Sequence, residues 1–367
     1  MKTNWQTKKL GDVCEIVKDV PREYVGVKKY FSTGAINNSN FYFSKEVTYN
    51  GKPSRANSYP KIGDVGFAKM KFTNKILLIN DDLNGSIFST GFCFLRPNKL
   101  LDSRYLFHFI ISDEFQKLKD LYAGDGIMGG IKNADVKKIK ISLPPLSKQK
   151  RIVKILDEVF KKTTKVKGNA EKNLQNTKDL FDSYLKDVFA NQKEDWEEKR
   201  FNEICVLQRG FDLPTHLRNK GKFPLVSSNG ITDKINLWKV KSPGVVTGRS
   251  GTIGNVHFIE KDYWPLNTTL YIKEFYGNYE RFVYYFLKQF NLGKYSSGAG
   301  VPTLNRNNVH SERVWFLKSL SKQKSIVKKL DKLSAQTKKL EEIYKKKLLD
   351  LEELKKSVLK RAFSGEL

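Results

Sequence analysis

The sequence predicts a mixed α/β (α+β) chain of two globular lobes and two long helices, built as an internal repeat with pseudo-twofold character. Three observations carry that expectation: motifs that recur in the same order in both halves, two long segments with heptad spacing, and short β-rich runs separated by Gly-, Asn- and Ser-rich loops. The resulting order is globular, helical, globular, helical. It divides the 367 residues into a first lobe over 1–146, a helix and linker over 147–195, a second lobe over 196–319 and a closing helix over 320–367.

The repeat is visible residue by residue. Trp5 stands as far before Cys14 as Trp196 stands before Cys205. Arg104-Tyr105-Leu106-Phe107-His108-Phe109 returns as Arg281-Phe282-Val283-Tyr284-Tyr285-Phe286. Leu146-Ser147-Lys148-Gln149-Lys150 returns as Leu320-Ser321-Lys322-Gln323-Lys324, and Ile152-Val153-Lys154 as Ile326-Val327-Lys328. Leu185-Lys186 with Phe189 matches Leu359-Lys360 with Phe363. Chance produces one such match, not this many in one order.

The first lobe contributes β-rich runs at Lys75–Ile79 and Phe92–Leu95, the second at Gly244–Thr247 and Thr269–Ile272. One aromatic helix per lobe is expected, near 104–119 and 281–290, with its Tyr, Phe and His serving mainly as core. In the closing segment Ile326, Leu330, Leu333, Thr337, Leu340, Tyr344, Leu351, Leu354 and Val358 follow a heptad seam, with no Pro or Gly from Ser321 to Ser364. Such a segment makes a rod of roughly 60–65 Å. The earlier segment has a poorer seam through Ile152, Leu156, Val159, Thr163, Val166 and Ala170, and Gly168 predicts a bend or fraying at its middle. Neither rod buries its stripe alone. Mutual pairing as an antiparallel coiled coil is the simplest solution; packing of each on its own lobe and dimerisation of the chain are the alternatives.

Composition narrows the function. Lys and Arg number 67 against 39 Asp and Glu, a net charge of +28. A folded chain so basic repels itself and calls for a polyanion, nucleic acid above all. An anionic membrane surface would also suit such a charge, and a Lys-rich proteome raises it without any partner. Cys14, Cys93 and Cys205 form no Cys-x-x-Cys pair, and with four His they make no zinc set. The start of the chain lacks the apolar core of a signal peptide, and no run is apolar enough to span a membrane, so a cytoplasmic location is expected.

Paired loops are the candidate DNA-binding elements. Gly63–Lys71 aligns with Pro243–Gly251, so each lobe runs a strand into a loop bearing a cation, Lys69 or Arg249. Both side chains can reach the acceptors of the guanine major-groove edge. Lys71, Thr73 and Asn74 extend the first loop, and Ser250, Thr252 and Asn255 the second. A solvated hairpin loop is the bland alternative. Glycine-rich stretches, Gly124–Lys132 and Ser296–Asn305, form a second pair suited to phosphates or simply to turns. Asn37, Asn38 and Asn40 in one lobe and Ser227, Ser228 and Asn229 in the other form a weaker third set. The chain has no Gly-x-x-x-x-Gly-Lys-Ser/Thr loop, no Asn/Asp-Pro-Pro-aromatic motif and no His-Glu-x-x-His, so no catalysis is expected of it. A basic coiled-coil scaffold without base preference stands as the competing function.

The helix opening Pro144-Pro145-Leu146-Ser147-Lys148-Gln149-Lys150-Arg151-Ile152 resembles the Pro-Pro-Leu-x-x-Gln-x-x-Ile signature of type I restriction–modification specificity subunits. Val246–Gly254, Pro265–Leu270 and the ending Ala362-Phe363-Ser364-Gly365-Glu366-Leu367 resemble that family too. Lys148 and Lys322 stand where the family usually has Glu, and Lys318-Ser319 replaces the second Pro-Pro pair. The resemblance covers nearly the whole chain. It implies two target-recognition domains, each reading half of a bipartite DNA site, with paired helices setting the gap. It also implies two adenine methyltransferase (modification) subunits using S-adenosylmethionine, and in some assemblies two restriction subunits using ATP and Mg. No cofactor is implied for this chain itself.

Overall fold

The structure, a computed structural model, describes residues 5–37, 40–41, 44–124, 129–191, 195–298 and 302–367, with the backbone alone at Asn37, Asn40 and Phe41. The chain divides into two compact units, Met1–Glu171 with Lys346–Leu367, and Lys172–Lys345. Each unit holds one lobe and half of each long helix.

In unit 1, β1 (Gln6–Lys9) pairs antiparallel with β12 (Lys140–Leu143). The central sheet has the order β2 (Cys14–Ile16), β11 (Phe92–Pro97), β8 (Val65–Ala68), β9 (Ile76–Leu78), antiparallel throughout. A second sheet runs β6 (Lys45–Val47), β3 (Lys28–Phe31), β10 (Ile87–Ser89), β7 (Ala56–Ser58), with β10 parallel to β3. A small hairpin joins β4 (Ile36–Asn37) to β5 (Asn40–Phe41). The helices are α1 (Leu10–Val13), α2 (Ser103–Ile111), α3 (Asp113–Tyr122) and α4 (Asn133–Val136).

Unit 2 repeats the plan. Strand β13 (Trp196–Arg200) pairs with β23 (Arg313–Leu317). Its central sheet has the order β14 (Val206–Arg209), β20 (Thr269–Glu274), β17 (Gly244–Gly248), β18 (Val256–Ile259). The second sheet is β16 (Gly230–Ile235), β15 (Lys220–Ser227), β19 (Trp264–Pro265), again with one parallel pair, β15 with β19. A short pair links β21 (Ser296–Ser297) and β22 (Thr303–Leu304), and the helices are α6 (Phe201–Ile204), α7 (Glu280–Gln289) and α8 (Arg306–His310).

The central sheets are covered on both faces, which explains their unbroken apolar runs. In unit 1 Val65, Phe67, Cys93 and Leu95 face the helix-side core, while Ala68, Phe92 and Phe94 face the second sheet. In unit 2 Val245, Leu270 and Ile272 take the helix side, and Val246 and Tyr271 the other. The aromatic helix expected near 104–119 is two helices. Ser112 ends α2 and caps α3: its hydroxyl donates to the Phe109 carbonyl (2.6 Å) and accepts from the Phe115 amide (3.3 Å).

The long helices are α5 (Leu146–Ala190) and α9 (Leu320–Ser364). In unit 1 the first part of α5 meets the last part of α9: Ile152, Leu156 and Phe160 share a core with Val358, Leu359 and Phe363, and Lys167 pairs with Glu352 at 2.8 Å. Rising numbers on one helix meet falling numbers on the other, so the pairing there is antiparallel. In unit 2 Phe181, Leu185 and Phe189 share a core with Val327 and Leu330. Both units use the helices to close the lobe core as well, so helix pairing and lobe packing are one arrangement. Helix α5 runs through the exposed Gly168 without a break, because a helical Gly costs only about 1 kcal/mol among dozens of other backbone bonds. Leu340 and Leu354, expected in the seam, are exposed, while Val327, Leu359 and Phe363 are buried. The buried stripe follows the lobes as well as the heptad.

The buried Gln of each helix opening has a definite task. The Gln149 side chain accepts from the Asp102 amide (2.8 Å) and donates to the Leu100 and Pro144 carbonyls. Gln323 accepts from the Tyr279 amide (2.8 Å) and donates to the Leu317 carbonyl and to Asn278 Oδ1. Asp102 and Tyr279 are the N-caps of α2 and α7. The long helix thus fixes the start of the aromatic helix in both units, satisfying backbone groups that burial would otherwise leave unpaired.

Candidate nucleic-acid interface

The two cation-bearing turns leave their central strands in the same way. Strand β8 ends at Ala68 and β17 at Gly248, and Lys69 and Arg249 follow. Lys69 donates its amide to the Gly91 carbonyl (3.0 Å) and accepts at its carbonyl from the Ile131 amide (3.0 Å). Arg249 donates its amide to the Thr268 carbonyl (2.8 Å) and accepts at its carbonyl from the Leu304 amide (2.8 Å). One residue further on, Met70 bridges Gly130 and Ser250 bridges Thr303. Each glycine-rich stretch is therefore stitched to the cation turn of its own lobe. Sequence reasoning treated these as separate pairs, and the backbone brings them together twice. Of the glycine-rich stretches, 125–128 and 299–301 lie outside the described residues.

Further polar groups collect at the second turn. Thr252 Oγ1 donates to Asn229 Oδ1 (2.5 Å), and the Asn229 amide donates to Ser227 Oγ (3.2 Å). A Cβ at Gly248 would lie 1.8 Å from the Thr252 carbonyl oxygen, so only glycine permits this fold-back. Ser228 is buried beneath the turn, and the exposed Asn255 accepts from the Gly248 amide. Ser227, Ser228, Asn229, Ser250, Thr252 and Asn255 thus form one patch beside Arg249. A cleft of about 420 Å³ opens next to it, lined by Arg209, Arg249 and Arg306 with Ser297, Asn305 and Asn307. Sequence reading missed Arg209 and Arg306. Their only signal was position, at the end of β14 and at the start of α8. Arg306 Nη1 is held by the Leu207 carbonyl (3.3 Å) and Arg249 Nη1 by the Asn267 carbonyl (3.4 Å), so both guanidiniums are oriented with donors to spare.

The first turn is built differently. Lys69 and Lys71 are half-buried. The Thr73 hydroxyl donates to the Met70 carbonyl (2.6 Å), while the Thr73 carbonyl accepts from the ammonium of Lys119, a side chain only 1% exposed. Asn74 is not gathered with Lys69. It lines a groove with Phe107, Phe160 and Glu352, on the helix side of unit 1. Asn37 lies in the β4–β5 hairpin opposite Asn40, and Asn38 lies outside the described residues. Below β8, Asp64 takes a bidentate pair from Arg96 (2.8 and 2.7 Å), which also reaches Asp19 at 3.0 Å. These bonds hold the Asp19 carboxyl below its usual range and raise the Arg96 guanidinium further.

A family model described as "Type I restriction modification DNA specificity domain" matches residues 2–176 and 193–350. The chain belongs to that family. The two matched stretches correspond to the two copies of the repeat, so the specificity domain occurs twice in one polypeptide. The type I restriction enzyme MjaVIII specificity subunit of Methanocaldococcus jannaschii is 29% identical over 237 residues, covering 56% of this chain and 50% of that relative. The match thus spans about half the length of that curated relative. A solved structure from work on complex assembly and conformational transition of the type I R-M system is similar over 99% of this chain and 98% of that one, at 23% identity and a TM-score of 0.85. The HsdS subunit from Thermoanaerobacter tengcongensis is similar over 99% and 97%, at 22% identity and a TM-score of 0.64. At these identities the structures speak for the specificity-subunit fold. Among the described residues, no group of His, Cys, Asp and Glu could hold a metal ion, and no helix is long and apolar enough to cross a membrane.

Proposed function

We propose that this chain reads a bipartite DNA sequence, one half-site per lobe, and directs a type I restriction–modification complex to it. The observation that carries the reading is the duplicated device: a cation on the turn after a buried central strand, stitched to a glycine-rich stretch, in both units. A scaffold without base preference needs no such paired turns. The Lys-rich surface supplies phosphate contacts that position the protein, and a few turn side chains supply base contacts. Lys69, Lys71 and Thr73 with Asn37 and Asn38 are assigned to one half-site, and Asn74, which lines the helix-side groove, is left out of it. Arg249, Ser250, Thr252, Asn255, Ser227, Ser228 and Asn229 are assigned to the other.

The long helices set the gap between half-sites and dock two modification subunits, and two restriction subunits join in the full nuclease. Exposed apolar side chains on those helices, Leu180, Leu340 and Ile343 in unit 2 and Leu349 and Leu354 in unit 1, support the docking role. S-adenosylmethionine and ATP with Mg belong to the partner subunits. The chain itself is non-catalytic.

Methylome sequencing of a host with and without this gene, partner subunits intact, tests the reading. One gapped adenine-methylation motif should disappear with the gene; an unchanged methylome rejects the proposal. Within that motif, Arg249→Ala should lower methylation about 5- to 150-fold by relaxing one half only. Equal weakening on all sequences would make Arg249 a phosphate contact instead.

A further inference from the structure

The tip of the first cation turn carries a feature that base-edge hydrogen bonding does not use. Phe72 is 80% exposed and holds φ at +57°, a left-handed conformation unusual for a bulky aromatic residue. Such strain persists only where the surroundings impose it. Here they do. The Phe72 amide donates to Asp120 Oδ1 (3.0 Å), the Thr73 carbonyl receives the buried Lys119 ammonium, and the Thr73 hydroxyl closes on the Met70 carbonyl. Lys119 is itself balanced by Asp120 at 3.5 Å. Burying an ammonium is expensive, so its use to pin a surface turn marks the tip conformation as specified. The ring gains no core burial in return. It stands in water between Met70 and Thr73, with the Lys71 ammonium 5.6 Å from its centre.

We propose that Phe72 is a specificity-determining wedge: its ring stacks on a base of the half-site read by the first lobe and opens that base step. This inference rests on the DNA-reading function proposed above. The occupant follows from charge and shape. An apolar ring flanked by Lys69 and Lys71 on one turn suits a polyanion that offers flat apolar faces behind a phosphate rim, which describes stacked bases. A protein partner's apolar pocket would not call for the flanking cations. The second lobe has no aromatic residue between Arg249 and Asn255, so the device is particular to one half-site.

The test uses the assembled complex with its modification subunits and duplexes bearing the chain's own gapped motif, with 2-aminopurine placed in turn at each adenine of both half-sites. Wild type is compared with Phe72→Gly, Phe72→Trp and Arg249→Ala. Glycine adopts positive φ freely, so F72G should fold with undiminished melting temperature. The wedge predicts a fluorescence rise at one position in the half-site that is insensitive to Arg249→Ala. That rise should vanish in F72G and persist in F72W, and specific binding should fall about 5- to 150-fold in F72G alone. Unchanged binding and fluorescence in F72G, with R249A still losing its half-site, overturn the wedge and leave the DNA-reading function standing. If binding falls without any 2-aminopurine signal and instead tracks replacement of thymine by uracil, Phe72 touches a methyl group at the groove edge, and the wedge is again overturned. If neither variant alters binding to any sequence, the DNA-reading function fails with it.

Discussion

The two units build one plan from different side chains, and the differences are concentrated where the plan tolerates them. Both anchor the aromatic helix on an Asp of a long helix, eight residues after the buried Gln. In unit 1 Asp157 takes Arg104 (3.0 Å) and His108 Nε2 (2.9 Å). In unit 2 Asp331 takes Arg281 (2.9 Å) and the Tyr285 hydroxyl (2.6 Å). The ion pair is kept and the second donor is exchanged, so what is specified is a satisfied carboxylate and not a particular partner. The second sheet differs more, with β7 present in unit 1 and no counterpart among the described residues of unit 2. The turns differ most. Unit 2 offers an arginine cleft with a polar patch, whereas unit 1 offers two lysines and a strained phenylalanine. The buried frame repeats and the surface that would meet DNA diverges, as expected if the two copies read different half-sites.

The comparison can be broken hardest at the phenylalanine that closes each unit. Phe363 packs against Tyr105 (5.1 Å) and Phe109 (5.4 Å), and Phe189 against Phe282 (5.3 Å) and Phe286 (5.9 Å). Truncation to Ala should cost about 3–5 kcal/mol in each case. Hydrogen exchange should show unit 1 amides loosening in F363A and unit 2 amides in F189A. Loosening of both units by either variant would mean that each phenylalanine supports more than its own unit.

A smaller loss is expected at the glutamines. Gln149→Leu and Gln323→Leu leave buried backbone groups unpaired, at about 1–3 kcal/mol each by denaturant unfolding. Similar costs would confirm that the two openings are one device. A neutral Q323L would mean that the second copy has replaced it.

The smallest effect separates His108 from Tyr285. Burial holds the His108 imidazole below its ordinary 6.5 against the opposing bond to Asp157, and a second ring proton would sit on a buried Nδ1 with no partner among the described residues. The folded chain therefore binds that proton less readily than the unfolded chain. Its contribution to stability is complete above about pH 6.5 and is lost as the pH falls below that value. Burial and Asp331 push the Tyr285 phenol upward, away from this range. Exchanging His108 for Tyr should flatten the acid side of a plot of melting temperature against pH, and an unchanged slope would assign that limb to other groups.

Much of the frame was legible in the sequence because it is written twice. The long helices, the strand runs and the pairing of Lys69 with Arg249 all rest on matched positions. What failed was local. Ser112 sits inside a pattern that reads as one helix, and its extended backbone, held by its side-chain bonds, divides it. Leu340 and Leu354 keep heptad spacing yet stay exposed, because spacing identifies a stripe without saying what covers it. Arg209 and Arg306 lie far apart along the chain, and although Arg209 falls opposite Lys18 in the repeat, nothing in the sequence joined the two arginines to Arg249.

The sequence by itself determined the duplication, the strongly basic charge balance and the alternation of lobe and helix, since periodicity and charge are properties of order and composition. Only the tertiary structure decided that each cation turn is bonded to its glycine-rich stretch, that Gln149 and Gln323 hold the N-caps of other helices, and that Phe72 is pinned in a strained turn. Those facts depend on hydrogen bonds between residues tens of positions apart. Backbone amides carry no residue identity, so their pairing becomes visible only once the chain is folded.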